Sequence, residues 1–204
     1  NCKVFSNLPT KIPFKEKLVL RGEAVISYED FEKINSAITD ESSKYKNPRN
    51  LCSGSVRQLN NRITKERNVR FYGFSLVEAK DLEFKYREDE LNWLKEQGFA
   101  VVEFAKVDRA DVSDKVKQFA KEIAQYPIPS DGLVLILNDI EYGKSLGTTA
   151  KFPRDAIAFK WKDEIVEKTL EYVEWNASRT GLINPVAVFS PVEIEGTTVS
   201  RASL

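Results

Sequence analysis

Asp131-Gly-Leu-Val-Leu-Ile-Leu137 and Ala156-Ile-Ala-Phe-Lys-Trp161 decide how this chain is read. Both are short, apolar and bounded by turn residues, which predicts two strands. The connector between them holds Tyr142-Gly-Lys-Ser-Leu-Gly-Thr-Thr149 and predicts a glycine-containing link. Period-2 alternation puts Ile157, Phe159 and Trp161 on one face of the second strand, and Ala156, Ala158 and Lys160 on the other. Two alanines beside a lysine leave room above the strand for a ligand. A lysine among aromatics is costly to bury unless an anion meets it. It can also carry its amine from the strand end into water, and the pattern alone leaves both readings open.

Working outward, Leu18 to Ser27 predicts another strand. Leu18, Leu20, Gly22, Ala24 and Ile26 share one face; Val19, Arg21, Glu23 and Val25 share the other. Arg21 and Glu23 therefore point the same way, either as a partly exposed ion pair of little worth or as ligand contacts. Ser27-Tyr-Glu-Asp30 opens a helix with Phe31, Ile34 and Ile38 as its apolar stripe. Asn47 and Pro48 are a strong helix start. In that helix Leu51, Ser55, Val56 and Leu59 are expected inward. Arg49, Ser53 and Arg57 share another side, beside the small residues Ser53, Gly54 and Ser55, a combination suited to phosphate contacts.

Asn68 to Val77 predicts a strand with Tyr72, Phe74 and Leu76 on one face, filling core or stacking a base. Arg87 to Gln97 predicts a helix closed by Gly98. Phe99 to Ala105 predicts a strand, and Val112 to Ala124 a helix with Val112, Val116, Phe119 and Ile123 inward. After Trp161 the texture changes. Lys162-Asp-Glu164 reads as a charged hinge. Lys168–Trp175, Ile183–Phe189 and Val199–Leu204 read as short strands without intervening helices, the opening of a small β-barrel.

The 204 residues are 42% hydrophobic and 30% charged, with no apolar run near the ~18 residues of a membrane span. There is no apolar signal core and no initiator methionine, so the chain is expected to be a piece of a longer, cytosolic protein. Cys2 and Cys52 offer neither a disulfide framework nor a metal pattern. With no histidine, catalysis must rest on Lys, Arg, carboxylates or a cofactor. Net charge is zero, yet Lys46 to Arg70 holds seven basic residues against one acidic. That local patch points to a polyanion facing one side, or to a solvated helix face.

Taken in order, Arg21-Gly-Glu23, Asn47-Pro-Arg-Asn50 running into Gly54-Ser-Val-Arg-Gln-Leu59, Asp131-Gly132, Ala156-Ile-Ala-Phe-Lys160, Ser178-Arg-Thr-Gly181 with Pro185-Val-Ala187, and Gly196-Thr-Thr-Val-Ser200 resemble the adenylation domain of bacterial NAD-dependent DNA ligases followed by the start of its OB-fold domain. The resemblance covers nearly the whole chain. It implies an α+β fold: a nucleotidyltransferase core, ATP-grasp-like and of the DNA ligase and mRNA capping type, with antiparallel sheets and flanking helices, then a truncated OB-fold barrel. Residues 1–162 would be the adenylation domain without its N-terminal part, and 163–204 the beginning of the OB-fold.

The implied chemistry is nick sealing in duplex DNA. A lysine takes AMP from NAD, AMP passes to the 5′ phosphate of the nick, and the 3′ hydroxyl displaces it. By this resemblance Glu23, Lys160 and Asp131 are catalytic, with Glu23, Lys160, Phe74 and Arg21 binding the nucleotide. Lys160 would neutralise charge on phosphoryl oxygens. Phe74 falls where the family stacks an aromatic on adenine, and Arg49, Arg57 and Arg179 would engage nicked DNA. Implied with these are Mg2+ or Mn2+, with zinc only in C-terminal modules beyond this chain, and a monomer in the bacterial cytoplasm at the nucleoid. No membrane partner is implied.

Two departures stand out. The family nucleophile lies in Lys-x-Asp-Gly, but the only Asp-Gly here has Pro129 at the lysine position, so the nucleophile is expected upstream of Asn1. Many relatives also carry a lysine where this chain has Ile136. The fragment is therefore expected not to seal DNA alone. A degenerate paralogue that binds nucleotide or nicked DNA without catalysis is the alternative. An ATP- or GTP-using relative fits the Asn47 helix and the Ser178 turn less well.

Overall fold

The computed structural model describes residues 1–161, 165–194 and 197–204. The chain divides into two compact units, Asn1–Trp161 and Lys162–Leu204.

In the first unit β1 (Leu18–Val25) pairs antiparallel with β2 (Arg70–Ala79). Between them run α1 (Tyr28–Ser36), α2 (Pro48–Val56) and α3 (Asn61–Glu66). The predicted caps form. Ser27 Oγ accepts from the Asp30 N–H, and Asn47 accepts from the Asn50 N–H with Pro48 in the first turn. Phe5, Ile26, Leu51, Cys52 and Val69 make one buried cluster beneath β1, joined by Phe31, Ile34 and Phe71.

Two register shifts break the β1–β2 ladder, one passing Phe74 and one passing Val77. Each bulge adds a residue to β2 and turns the following side chains over. Leu76 therefore leaves the face of Tyr72 and Phe74. It is 8% exposed and packs in a second cluster with Ala79, Leu94 and Val101, whereas Phe74 is 48% exposed. This corrects the expectation that Tyr72, Phe74 and Leu76 share one face.

α4 (Arg87–Glu96) buries Leu94 and ends before Gly98, whose φ of +90° suits glycine. The predicted strand after it is reduced to a single bridge from Val101 to Gly73. α5 (Val112–Glu122) keeps Val112, Val116 and Phe119 half-buried. β3 (Gly132–Ile136) and β4 (Ala156–Lys160) pair antiparallel as their sequences require. The connector is not bare: Asp139 caps α6 (Ile140–Ser145) by accepting from the Tyr142 N–H.

The second unit holds β5 (Leu170–Ala177), β6 (Ile183–Ile194) and β7 (Thr197–Ser203) in one antiparallel sheet of that order. The β5–β6 turn closes by Ser178 N–H to Leu182 O at 2.7 Å, with Gly181 at φ +84°. The predicted Lys162–Glu164 hinge and Gly196 lie outside the described residues.

Candidate active site

β1 presents Arg21 and Glu23 on its open side because Leu20, Gly22 and Ala24 turn inward. Gly22 is needed there. A Cβ on it would lie 2.2 Å from Phe71 Cζ and 2.4 Å from the Tyr72 carbonyl oxygen. The bare glycine lets the Phe71 ring pass into the core, which leaves Tyr72, the next residue, on the open side. Tyr72 sits directly opposite Glu23 in the ladder. The family resemblance points to Phe74 as the aromatic on adenine; in the ladder Tyr72 stands beside the carboxylate and Phe74 lies out on the bulge. Strand alternation from Glu23 was the available signal, but it needed the pairing.

Glu23 pairs with Arg49 Nη2 at 3.9 Å, not with Arg21. Both partners are well exposed, so the pair adds little stability. Its interest is positional, because it brings the first turn of α2 to the Glu23 side of β1. Cys52, on the same helix, donates to Ala24 O at 3.1 Å. Burial, with a smaller contribution from the Glu23 charge, pushes the Cys52 thiol up to about 11.

Lys160 stands directly opposite Gly132 on β3. Its face carries Gly132, Val134 and Ile136 against Ala158 and Ala156, so three of the residues flooring it are Gly or Ala. Gly132 admits no side chain, since a Cβ would lie 2.3 Å from Phe159 O. Asp131 accepts the Trp161 N–H through its carbonyl at 3.2 Å and sets its carboxylate 3.7 Å from Lys160 Nζ. Both side chains are exposed and free to meet a ligand. The face holds no second cation at position 136, where Ile136 stands.

Glu23 and Lys160 thus belong to two different two-stranded sheets. Among the described residues no hydrogen bond or ion pair joins them directly. The segment before β3 spans the gap. Pro127 O accepts from Tyr28 N–H at 3.0 Å beside the end of β1. Tyr126 lies against Glu103 and Tyr72, and burial foremost, then Glu103, raises its phenol to about 12. The far end of β3 is tied to α4. Arg87 N–H donates to Asn138 O, and Arg87 Nη2 grips buried Asp155 at 2.8 Å, just before β4.

Of the remaining candidates, Arg57 is the exposed C-cap of α2, and Arg179 is exposed in the β5–β6 turn of the second unit. The basic patch is partly spent on structure. Arg67 holds Ser55 Oγ and Tyr45 OH, and Arg70 pairs with Asp30. Lys46, Arg57, Arg62 and Lys65 are exposed and make no side-chain ion pair among the described residues.

A carboxylate with an aromatic across from it can take a nucleoside, and an amine over a glycine and alanine floor can take a phosphate. For a divalent cation the donor set is thin. Among the described residues no group of three or more Cys, Asp or Glu converges. Among the described residues Asp131 is the carboxylate paired with Lys160, which suits an ion held mostly by phosphate oxygens.

This is the equipment of a nucleotidyl-transfer fold. The chain belongs to the NAD-dependent DNA ligase adenylation domain family, whose profile matches residues 1–164, and residues 167–204 match the NAD-dependent DNA ligase OB-fold domain. It is 60% identical over its whole length to a DNA ligase of Ruminiclostridium cellulolyticum and 60% identical to one of Lachnoclostridium phytofermentans. A DNA ligase of Bacillus velezensis is 36% identical over 210 residues. In each case the chain spans 31% of the relative's length. The described residues include no helix long and apolar enough to cross a membrane.

Proposed function

We propose that the full-length protein carrying this chain is an NAD-dependent DNA ligase that seals nicks in duplex DNA through a lysyl-AMP and then a DNA-adenylate intermediate. The observation that carries this reading is Lys160 and Asp131 side by side over the bare Gly132, Ala156 and Ala158 floor. Such a site neutralises an α-phosphate without crowding it. Glu23 accepts from the ribose or base, with Tyr72 as the aromatic wall and Phe74 at its outer edge, and Arg21 lies on the same open face. NAD is the adenylyl donor. Mg2+ or Mn2+ supplies charge neutralisation when bound, with Asp131 its nearest protein ligand. Arg49, Arg57 and Arg179 contact the phosphates of nicked DNA. The adenylation domain spans 1–162 and the OB-fold begins at 163. We infer a monomer in the bacterial cytoplasm, working at the nucleoid.

The test is transfer of labelled adenylate to the full-length protein. A denaturation-stable adduct formed from NAD and not from ATP is expected. An adduct from ATP alone would assign the protein to the ATP-using relatives. Ile136 on the Lys160 face favours a second reading, a paralogue that binds nucleotide or nicked DNA without catalysis, and no adduct from either donor would select it.

A further inference from the structure

The strongest feature outside this site is the loop between α2 and α3. Leu59, expected inside, is 104% exposed. α2 ends at Val56, so Leu59 lies beyond the helix and off its buried stripe. The loop is held on several sides. Asn1 Nδ2 donates to Val56 O at 2.8 Å and to Gln58 O at 2.7 Å. Gln58 Nε2 donates to Gly54 O, and buried Thr64 donates to Ser55 O at 2.8 Å. Asn60 accepts from Arg62 N–H to start α3. A fully exposed leucine is disfavoured in water, and here the backbone on both sides is pinned so that it stays out. Arg57 and Arg62 flank it in sequence, both exposed and unpaired among the described residues.

We propose that Leu59 is an apolar contact to duplex DNA, packing against deoxyribose or base edges in a groove while Arg57 and Arg62 take the adjoining phosphates. This rests on the ligase reading above. The choice of DNA follows from charge together with the ligase reading: an apolar tip between two unpaired guanidinium groups suits a polyanion whose sugar edges are apolar, and nicked DNA is the polyanion that reading supplies. The two kinds of contact leave different salt signatures. Phosphate contacts release counterions, and each lost one reduces the salt slope of binding by about 0.9. Loss of an apolar contact weakens binding by the same factor at every salt concentration.

The experiment measures Kd for a 5′-phosphorylated nicked duplex in EDTA across a salt series, with full-length protein and its Leu59→Ala, Leu59→Lys and Arg62→Ala variants. Leu59→Ala is expected to raise Kd roughly tenfold at all salts without changing the slope or Tm. Leu59→Lys should also weaken binding, and Arg62→Ala should flatten the slope. An unchanged Kd for Leu59→Ala, or tighter binding by Leu59→Lys, overturns the proposal. A fall in Tm for Leu59→Ala also overturns it, because the leucine is then covered by the rest of the protein. Adduct formation from NAD in the same unmodified preparation judges the ligase reading separately: a missing adduct with these Kd shifts present sinks that reading alone.

Discussion

Gly22→Ala is the perturbation most sharply defined by the structure. Its new Cβ would lie 2.4 Å from the Tyr72 carbonyl oxygen, and 2.2 and 2.6 Å from Phe71 Cζ and Cε2. A carbon needs roughly 3.4 Å from such atoms, about where the well of a nonbonded pair begins. The Tyr72 oxygen is backbone in a paired strand and cannot rotate away. The Phe71 ring packs against a buried cluster and has little room to retreat. Strands β1 and β2 must therefore separate by most of an ångström, or the ladder must break locally. Overpacking of this kind costs up to ~3 kcal/mol. For a unit of the size of Asn1–Trp161 that corresponds to a Tm lower by roughly 6–12 °C in the unfolding transition of that unit. The assay is thermal and urea unfolding of the full-length protein, with Gly54→Ala as control. Gly54 sits inside α2 and a Cβ there meets nothing within 4 Å, so alanine should stabilise by roughly 0.5–1 kcal/mol. A Gly22→Ala protein within about 0.5 kcal/mol of the parent would refute the claim that this glycine sets the strand spacing and the exposure of Tyr72.

Asp155→Ala should lower stability by roughly 1–3 kcal/mol, because it leaves the guanidinium of Arg87 with only the longer contact to Glu90 at 3.7 Å; Asp155→Asn should cost less. Urea midpoints for the two variants check this, and equal, negligible losses would remove the pair from the anchoring of β4. Cys52 gives a pH signature. Its thiol ionises at about 11 in the folded protein, up from its usual 9.0, so the folded state holds the proton more tightly. Stability must then fall as pH rises from about 9 to about 11, by roughly 2–3 kcal/mol. Cys52→Ala should lose that slope while the parent keeps it, and parallel curves for both proteins would contradict the assignment.

The sequence carried the capped elements well. Asn47-Pro48, Ser27 with Asp30, and Gly98 are local chemistry, and each sits where its residues require. β3 and β4 were also readable, since apolar runs bounded by turns leave few alternatives. α3 and α6 leave little trace in the sequence. Each is six residues long, too short to show a helical period, and only Asn60 and Asp139 mark their starts. The side of Leu76 was misjudged because a bulge depends on the partner strand, which alternation along one strand cannot reveal. Leu59 lies outside because α2 stops before the helical stripe reaches it. At the candidate site the open faces of Lys160 and Glu23 are legible from strand alternation and Asp131 from the order of motifs, whereas the place of Tyr72 opposite Glu23 is a property of register alone.

The most direct measurement is a crystal structure of the full-length protein with AMP bound, read for two distances. The α-phosphate is expected within hydrogen-bond reach of Lys160 Nζ and, on the same nucleotide, the ribose or base within reach of the Glu23 carboxylate beside Tyr72. AMP touching one of these side chains and not the other, or protein atoms packed between them, would contradict that expectation.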